Sequence, residues 1–277
     1  MNGGRVFGVL LRNEWFKARK RIAFWMALGF FTFGTVGTHA YPFFQRSEGF
    51  NLPGAWGSVF GGDSGTLLIF SALTLLLIAT TEFTWRTARQ NVIDGLSKSQ
   101  WFWGKSLLLP ILGFAFIGVQ ISIPAVLALI RTDFGAVDGP LVPASVFAAT
   151  GGLVLAFLSV AALAFFLSLA IRKTGAALGV WVLWVGPVEF GTISPLVTRY
   201  LPDYADWLDY MPWRNALQLL DFRSYDAPTF ERFVAAAEAA GRSAPSAFDP
   251  TWHLVAAAAW TALFIGTAFI WFRRRDL

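Results

Sequence analysis

Apolar residues run along this chain in long blocks separated by short polar connectors, a pattern unlike the periodic stripes of a soluble core. A helix needs about 20 such residues to cross about 30 Å of hydrocarbon. Six blocks meet or approach that length: residues 22–40, 66–81, 106–130, 143–171, 175–197 and 251–272. The second is short, so its helix is expected to extend beyond both ends. The third carries Pro110 and Pro124, and the fourth has no charge over 29 residues. The fifth holds one acid, Glu189, between Pro187 and Pro195, which are expected to break it. The pattern predicts an all-α polytopic membrane protein with six transmembrane helices in a single unit, residues 1–277.

Two stretches outside the spans have helical patterning. Over residues 5–19, Arg5, Arg12 and Arg19 recur every seven positions on one face, while Val6, Phe7, Leu10 and Leu11 cluster opposite. This reads as an interfacial amphipathic helix; a basic stop flanking the first span is the plainer alternative. No A-x-A-like site follows the first apolar block, so a cleaved signal peptide is not expected. Between spans five and six, residues 198–250 form the one long connection. Residues 201–222 mix aromatics and leucines with acids, as short helices at a leaflet surface do. Residues 229–240 read as a helix with Thr229 near its N-cap and Gly241 at its end.

Composition and charge then orient the chain. It is 56% hydrophobic and 14% charged, against about 25% charged in soluble domains. With the N-terminus in the cytoplasm, 15 Lys and Arg fall inside and 7 outside, while acids divide 4 inside to 12 outside, with Glu189 within span five. Both termini are therefore expected to be cytoplasmic. The net charge of +5 faces anionic lipid and cytosol and calls for no nucleic acid. Ten of the 13 Trp fall near one interface or the other; Trp181, Trp184 and Trp260 lie deeper. The absence of cysteine excludes disulfides and thiolate chemistry.

Candidate chemistry is sparse. Gly104-Lys105-Ser106 ends like a phosphate-binding loop, but Ser99 stands where the first glycine belongs and no strand precedes it. Lys105 is read instead as a basic anchor at the start of span three. His39 and His253 fall near the outer boundary, without metal-ligand spacing, so no metal site is expected. Glu189 lies deep in span five, where a carboxylate is costly. It is either functional or bonded to backbone amides freed by the prolines.

The polar segment 82–105, EFTWRTARQNVIDGLSKSQWFWGK, separates spans two and three. With Glu82, the run from Thr87 through Asn91, Gly95, Leu96 and Ser97 to Lys98, then Phe102 and Lys105, it resembles a segment of the ABC type 2 transporter permeases. The ends, NEWFKARKR and FRRRDL, are also similar to that family's, and Lys98 stands where arginine is commoner.

The resemblance covers essentially the whole chain. It implies an elbow helix over 5–21, a cytoplasmic coupling loop over 82–105, an extracytoplasmic segment over 198–250 and residence in the bacterial cytoplasmic membrane. It also implies a permease, not itself an enzyme and without a cofactor of its own. That permease pairs with a second copy or homologue among membrane lipids and is driven by two cytosolic ATPase subunits that bind ATP and Mg. Arg86, Arg89, Asn91, Asp94, Lys98 and Gln100 are then expected to couple to the ATPase. Trp181, Trp184 and Glu189 are expected to line or gate a pathway. A stand-alone channel or secondary transporter is the alternative, although no internal repeat is evident.

Overall fold

The longest uncharged block forms the helix around which the others gather. In a computed structural model of the chain, residues 3–45, 51–61, 64–85, 88, 90, 93, 96–137, 139–241 and 249–275 are described. Their helices, in order, are α1 (Gly3–Arg19), α2 (Ile22–Phe44), α3 (Trp56–Gly61), α4 (Ser64–Thr84), α5 (Lys98–Ser106), α6 (Leu108–Arg131) and α7 (Ala144–Ile171). There follow α8 (Thr174–Leu183), a π-helical segment (Trp184–Ile193), α9 (Ser194–Tyr200), a 3-10 segment (Pro202–Tyr210), α10 (Pro212–Gln218), α11 (Ala227–Ala239) and α12 (Pro250–Arg274).

Among the described residues, six helical runs are long and apolar enough to span a bilayer: α2, α4, α5 with α6, α7, α8 through α9, and α12. The chain is an all-helical, multi-pass membrane protein. Contacts of Lys98 with Arg275 and of Lys105 with Glu14 and Glu82 bring α1, the end of α4, the start of α5 and the end of α12 to one end of the bundle. We call this the terminal end, and the opposite one the far end.

Span four, α7, packs most extensively on α12 and α4. Of its most apolar stretch 67% is buried within the chain, and 61% for α4; span five has 17% and α12 11%. Small residues let other neighbours of α7 approach it closely as well. A Cβ at Gly152 would lie 2.0 Å from the Tyr225 hydroxyl, and one at Gly113 would lie 2.9 Å from the Phe157 ring.

Three details correct the sequence reading. First, span two reaches Ser64 and Thr84, as its short apolar core required, but the third run begins at Lys98 rather than 106. Its polar first turn is held by a capping box: the Ser97 side chain accepts from the Gln100 N–H while the Gln100 side chain accepts from the Ser97 N–H. Second, Pro187 does not break span five. The helix widens into π turns around it and returns to α geometry at Ser194, one residue before Pro195.

Third, α11 is capped by Asp226 rather than Thr229. The Thr229 N–H and hydroxyl both donate to the Asp226 carboxylate, and Gly241, at φ +67°, follows the helix end. The face of α1 toward the bundle holds the buried Glu14 and Ala18 with the partly buried Leu10, while Phe7 is 55% exposed.

Candidate functional site

The two ends of the 82–105 segment are joined directly. Lys105 Nζ donates to Glu82 Oε1 at 2.6 Å and to Glu14 Oε2 at 2.5 Å. Lys17 Nζ lies 3.0 Å from Glu14 Oε1 and 3.3 Å from Glu82 Oε1. Two acids and two bases thus neutralise one another where α1, α4 and α5 meet. The Lys105 side chain is 1% exposed, so it is no surface anchor; it is the buried centre of an ion-pair cluster. Lys17, 41% exposed, forms its solvent side. Burial pulls the Lys17 ammonium down, but Glu14 and Glu82 outweigh it and hold the group above its usual pKa.

Aromatic packing fixes α5 on its other side. Trp101 stacks on Phe272 with ring centres 4.8 Å apart, and Phe102 packs against Phe165 and Phe269. Lys98 Nζ donates to the Arg275 carbonyl at 2.9 Å, and Arg275 donates to the Ala170 carbonyl at 3.0 Å. The first turn of α5 is therefore tied to the end of α12, and that end to α7. Gly104 admits the Leu10 side chain from α1, 3.4 Å from where a Cβ would stand. On the α4 side, Trp85 lies under the Arg21 guanidinium, 4.5 Å from its ring centre. A niche of about 200 Å³ opens between α1 and α5, lined by Asn13, Lys17, Leu96 and Gln100 among others.

Of the coupling candidates, Lys98 and Gln100 fall here. Lys98 holds the end of α12, and Gln100 caps its own helix. Arg86, Arg89, Asn91 and Asp94 lie outside the described residues. Glu14 and Lys105 were missed as partners. They are 91 positions apart, so only their unusual burial reveals the pairing. A faint signal did exist: Glu14 and Glu82 are two of the few acids on the expected basic side.

Span five brings Trp181 and Glu189 together at the far end. Glu189, fully buried, accepts from the Arg214 N–H at 2.7 Å and the Trp213 N–H at 3.3 Å. These are amides in the first turn of α10, where Pro212 has no N–H to offer and Met211 has no capping side chain. Glu189 is thus a cap supplied from a neighbouring helix, stabilised by the partial positive charge of that terminus. The amides belong to α10, not to the prolines of its own span. Trp181 is buried and meets Trp213 edge-on at 6.2 Å, while Trp184 is half-buried against the core. Asn215 bonds both the His253 ring and its carbonyl, joining α10 to α12.

Among the described residues, no group of three or more His, Cys, Asp or Glu gathers as metal ligands would. No family model and no curated protein matches the chain; its functional reading rests on the motif in 82–105 and on this geometry.

Proposed function

We propose that the chain is the membrane-spanning permease subunit of an ATP-driven exporter of the ABC type 2 class. In this reading α1 is the elbow helix, 82–105 is a cytoplasmic coupling loop, and residues 198–250 lie outside. The observation that carries it is the closed base of the loop. A segment that receives force must transmit it, and Glu82, Lys105 and Glu14 join the loop to spans two and three and to the elbow. Aromatic contacts pass the same displacement to spans four and six.

Each of two permease copies sits on one of two cytosolic ATPase subunits, which hold ATP and Mg. Closure of the ATPases favours one arrangement of the spans over another, so no catalytic group is required in this chain. Spans one, five and six, 22%, 17% and 11% buried, retain surface to meet a second copy, and in this reading spans one and five form the pathway. Span two, 61% buried within its own chain, contributes less of that surface. Trp181 and Glu189 would then act by holding the far-end helix α10 over the pathway, with Trp184 beside them.

Gentle extraction from native membranes tests this. A cytosolic ATPase is expected to co-purify in equal numbers, and reversing the charges of Asp94 and Lys98 is expected to release it while membrane insertion persists. Transport by the purified chain alone, without ATP, would mark a stand-alone channel or secondary transporter instead.

A further inference from the structure

A groove of about 810 Å³ opens on the side of the bundle where α1 meets spans one and three. Its walls include Leu11 and Trp15 from α1, Phe24 and Leu28 from α2, and Pro110 and Ile111 from α6. The volume falls in the roughly 300–1,000 Å³ range of small-ligand sites. The lining is almost wholly apolar, with one charged residue, Arg12, and no acid.

Arg12 differs from its basic neighbours. Lys17 is engaged by Glu14 and Glu82, Arg19 and Lys20 lie over the Phe16 ring, and Arg21 lies over Trp85. The Arg12 guanidinium is exposed and makes no ion pair or ring contact with the described residues. It stands at an apolar groove as a cation awaiting an anion.

The level of the groove narrows the ligand. α1 ends at Arg19 and α2 begins at Ile22, so a cavity bounded by both lies where the apolar span starts. Lipid headgroups sit at that level, and the half-exposed Trp15 and Trp25 suit it. A second apolar groove of about 560 Å³ shares Pro110 and Phe114 with the first and runs on between spans three and four. Phe114, 87% exposed, divides the two.

We propose that these grooves bind an anionic diacyl phospholipid, its phosphate on Arg12 and its two chains on either side of Phe114. The site needs only the fold and a bilayer, so it stands independently of any ATPase.

Native mass spectrometry of the full chain tests the site, with palmitoyl-oleoyl phosphatidylglycerol and phosphatidylcholine as probes. Phosphatidylglycerol is expected to bind about fivefold more tightly, the effect of one basic residue at an anionic surface. Arg12→Gln is expected to level the two lipids. Gly8→Trp projects into the groove from a position where an added Cβ meets nothing within 4 Å, and is expected to weaken both. Single-chain lysophosphatidylglycerol is expected to bind less tightly than the diacyl lipid. Equal affinity of the unaltered protein for the two lipids would overturn the proposal, as would a full preference surviving in Arg12→Gln. Undiminished binding by Gly8→Trp would place the lipid elsewhere and overturn it too. Unchanged melting temperatures would show that either variant acts on binding rather than on folding.

Discussion

Replacing Lys105 by Met would remove the buried cation that joins Glu14 to Glu82, leaving the half-exposed Lys17 at the rim of the cluster. Breaking one side of a buried ion pair typically costs about 3–5 kcal/mol, so Lys105→Met should lower the melting temperature in detergent markedly. Adding Glu14→Gln and Glu82→Gln should recover part of that loss, because the penalty lies in the uncompensated charge. Glu189 makes a parallel case at the far end. Glu189→Ala leaves two helix-terminal amides without their acceptor and should cost about 1–2 kcal/mol in the same melting assay; Glu189→Gln, which keeps an acceptor oxygen, should cost less. The sequence made Glu189 conspicuous, since an acid in an apolar run has no other reading than a partner or a function. It could not name the partner, which lies 25 positions away on α10. Lys105 was concealed more fully, because a lysine at the end of a span looks the same whether it meets lipid headgroups or carboxylates.

At the scale of elements, helix ends are where the sequence misleads. Apolar runs mark the middle of each span, but capping chemistry sets its start. The Ser97–Gln100 capping box lets α5 begin with polar residues, and removing both side chains as alanines should cost about 1 kcal/mol. Faster amide exchange over residues 98–101, with the rest of the bundle unchanged, is the expected readout. Span six begins with Asp249, whose carboxylate accepts from the Thr251 N–H and is held below its usual pKa by that bond. A carboxyl group with a depressed folded pKa contributes stability above its unfolded value, near 4, and loses it as pH falls through the folded value. Exchange at Thr251 should therefore rise as pH drops below about 4, once corrected for intrinsic rates, and Asp249→Asn should flatten that dependence. Span five shows the converse: its prolines suggested a break, yet the helix runs on through π turns around Pro187, where a wider turn gives the proline ring room beside the preceding carbonyls.

Across the whole molecule, the six spans were legible because the bilayer demands length and apolarity, and both are written locally. Their arrangement was not. The spans are apolar on most faces, so no stripe distinguishes the side that meets another helix from the side that meets lipid. Span four is central through its contacts with spans two and six, and its Gly152 leaves room for Tyr225, a partner fixed only on folding. Gly152→Ala should displace Tyr225 and break its bond to the Leu219 carbonyl, loosening the far-end helices; trypsin cleavage at Arg223 should then accelerate. The absence of cysteine makes another test clean. Cross-linking Trp101→Cys to Phe272→Cys, at the site where the two rings stack, should leave ATPase binding intact but arrest transport, if displacement of α5 relative to α12 is the step that moves the spans.

The ion pair between Glu82 and Lys105 also bears on how such a protein diversifies. It closes a circuit 23 positions long, so the two ends of the polar segment are held together by the bundle itself. Within that segment Ala88 is buried in the core while Ile93 is 67% exposed. Variation is thereby channelled to outward positions such as 93 and withheld from buried ones such as 88.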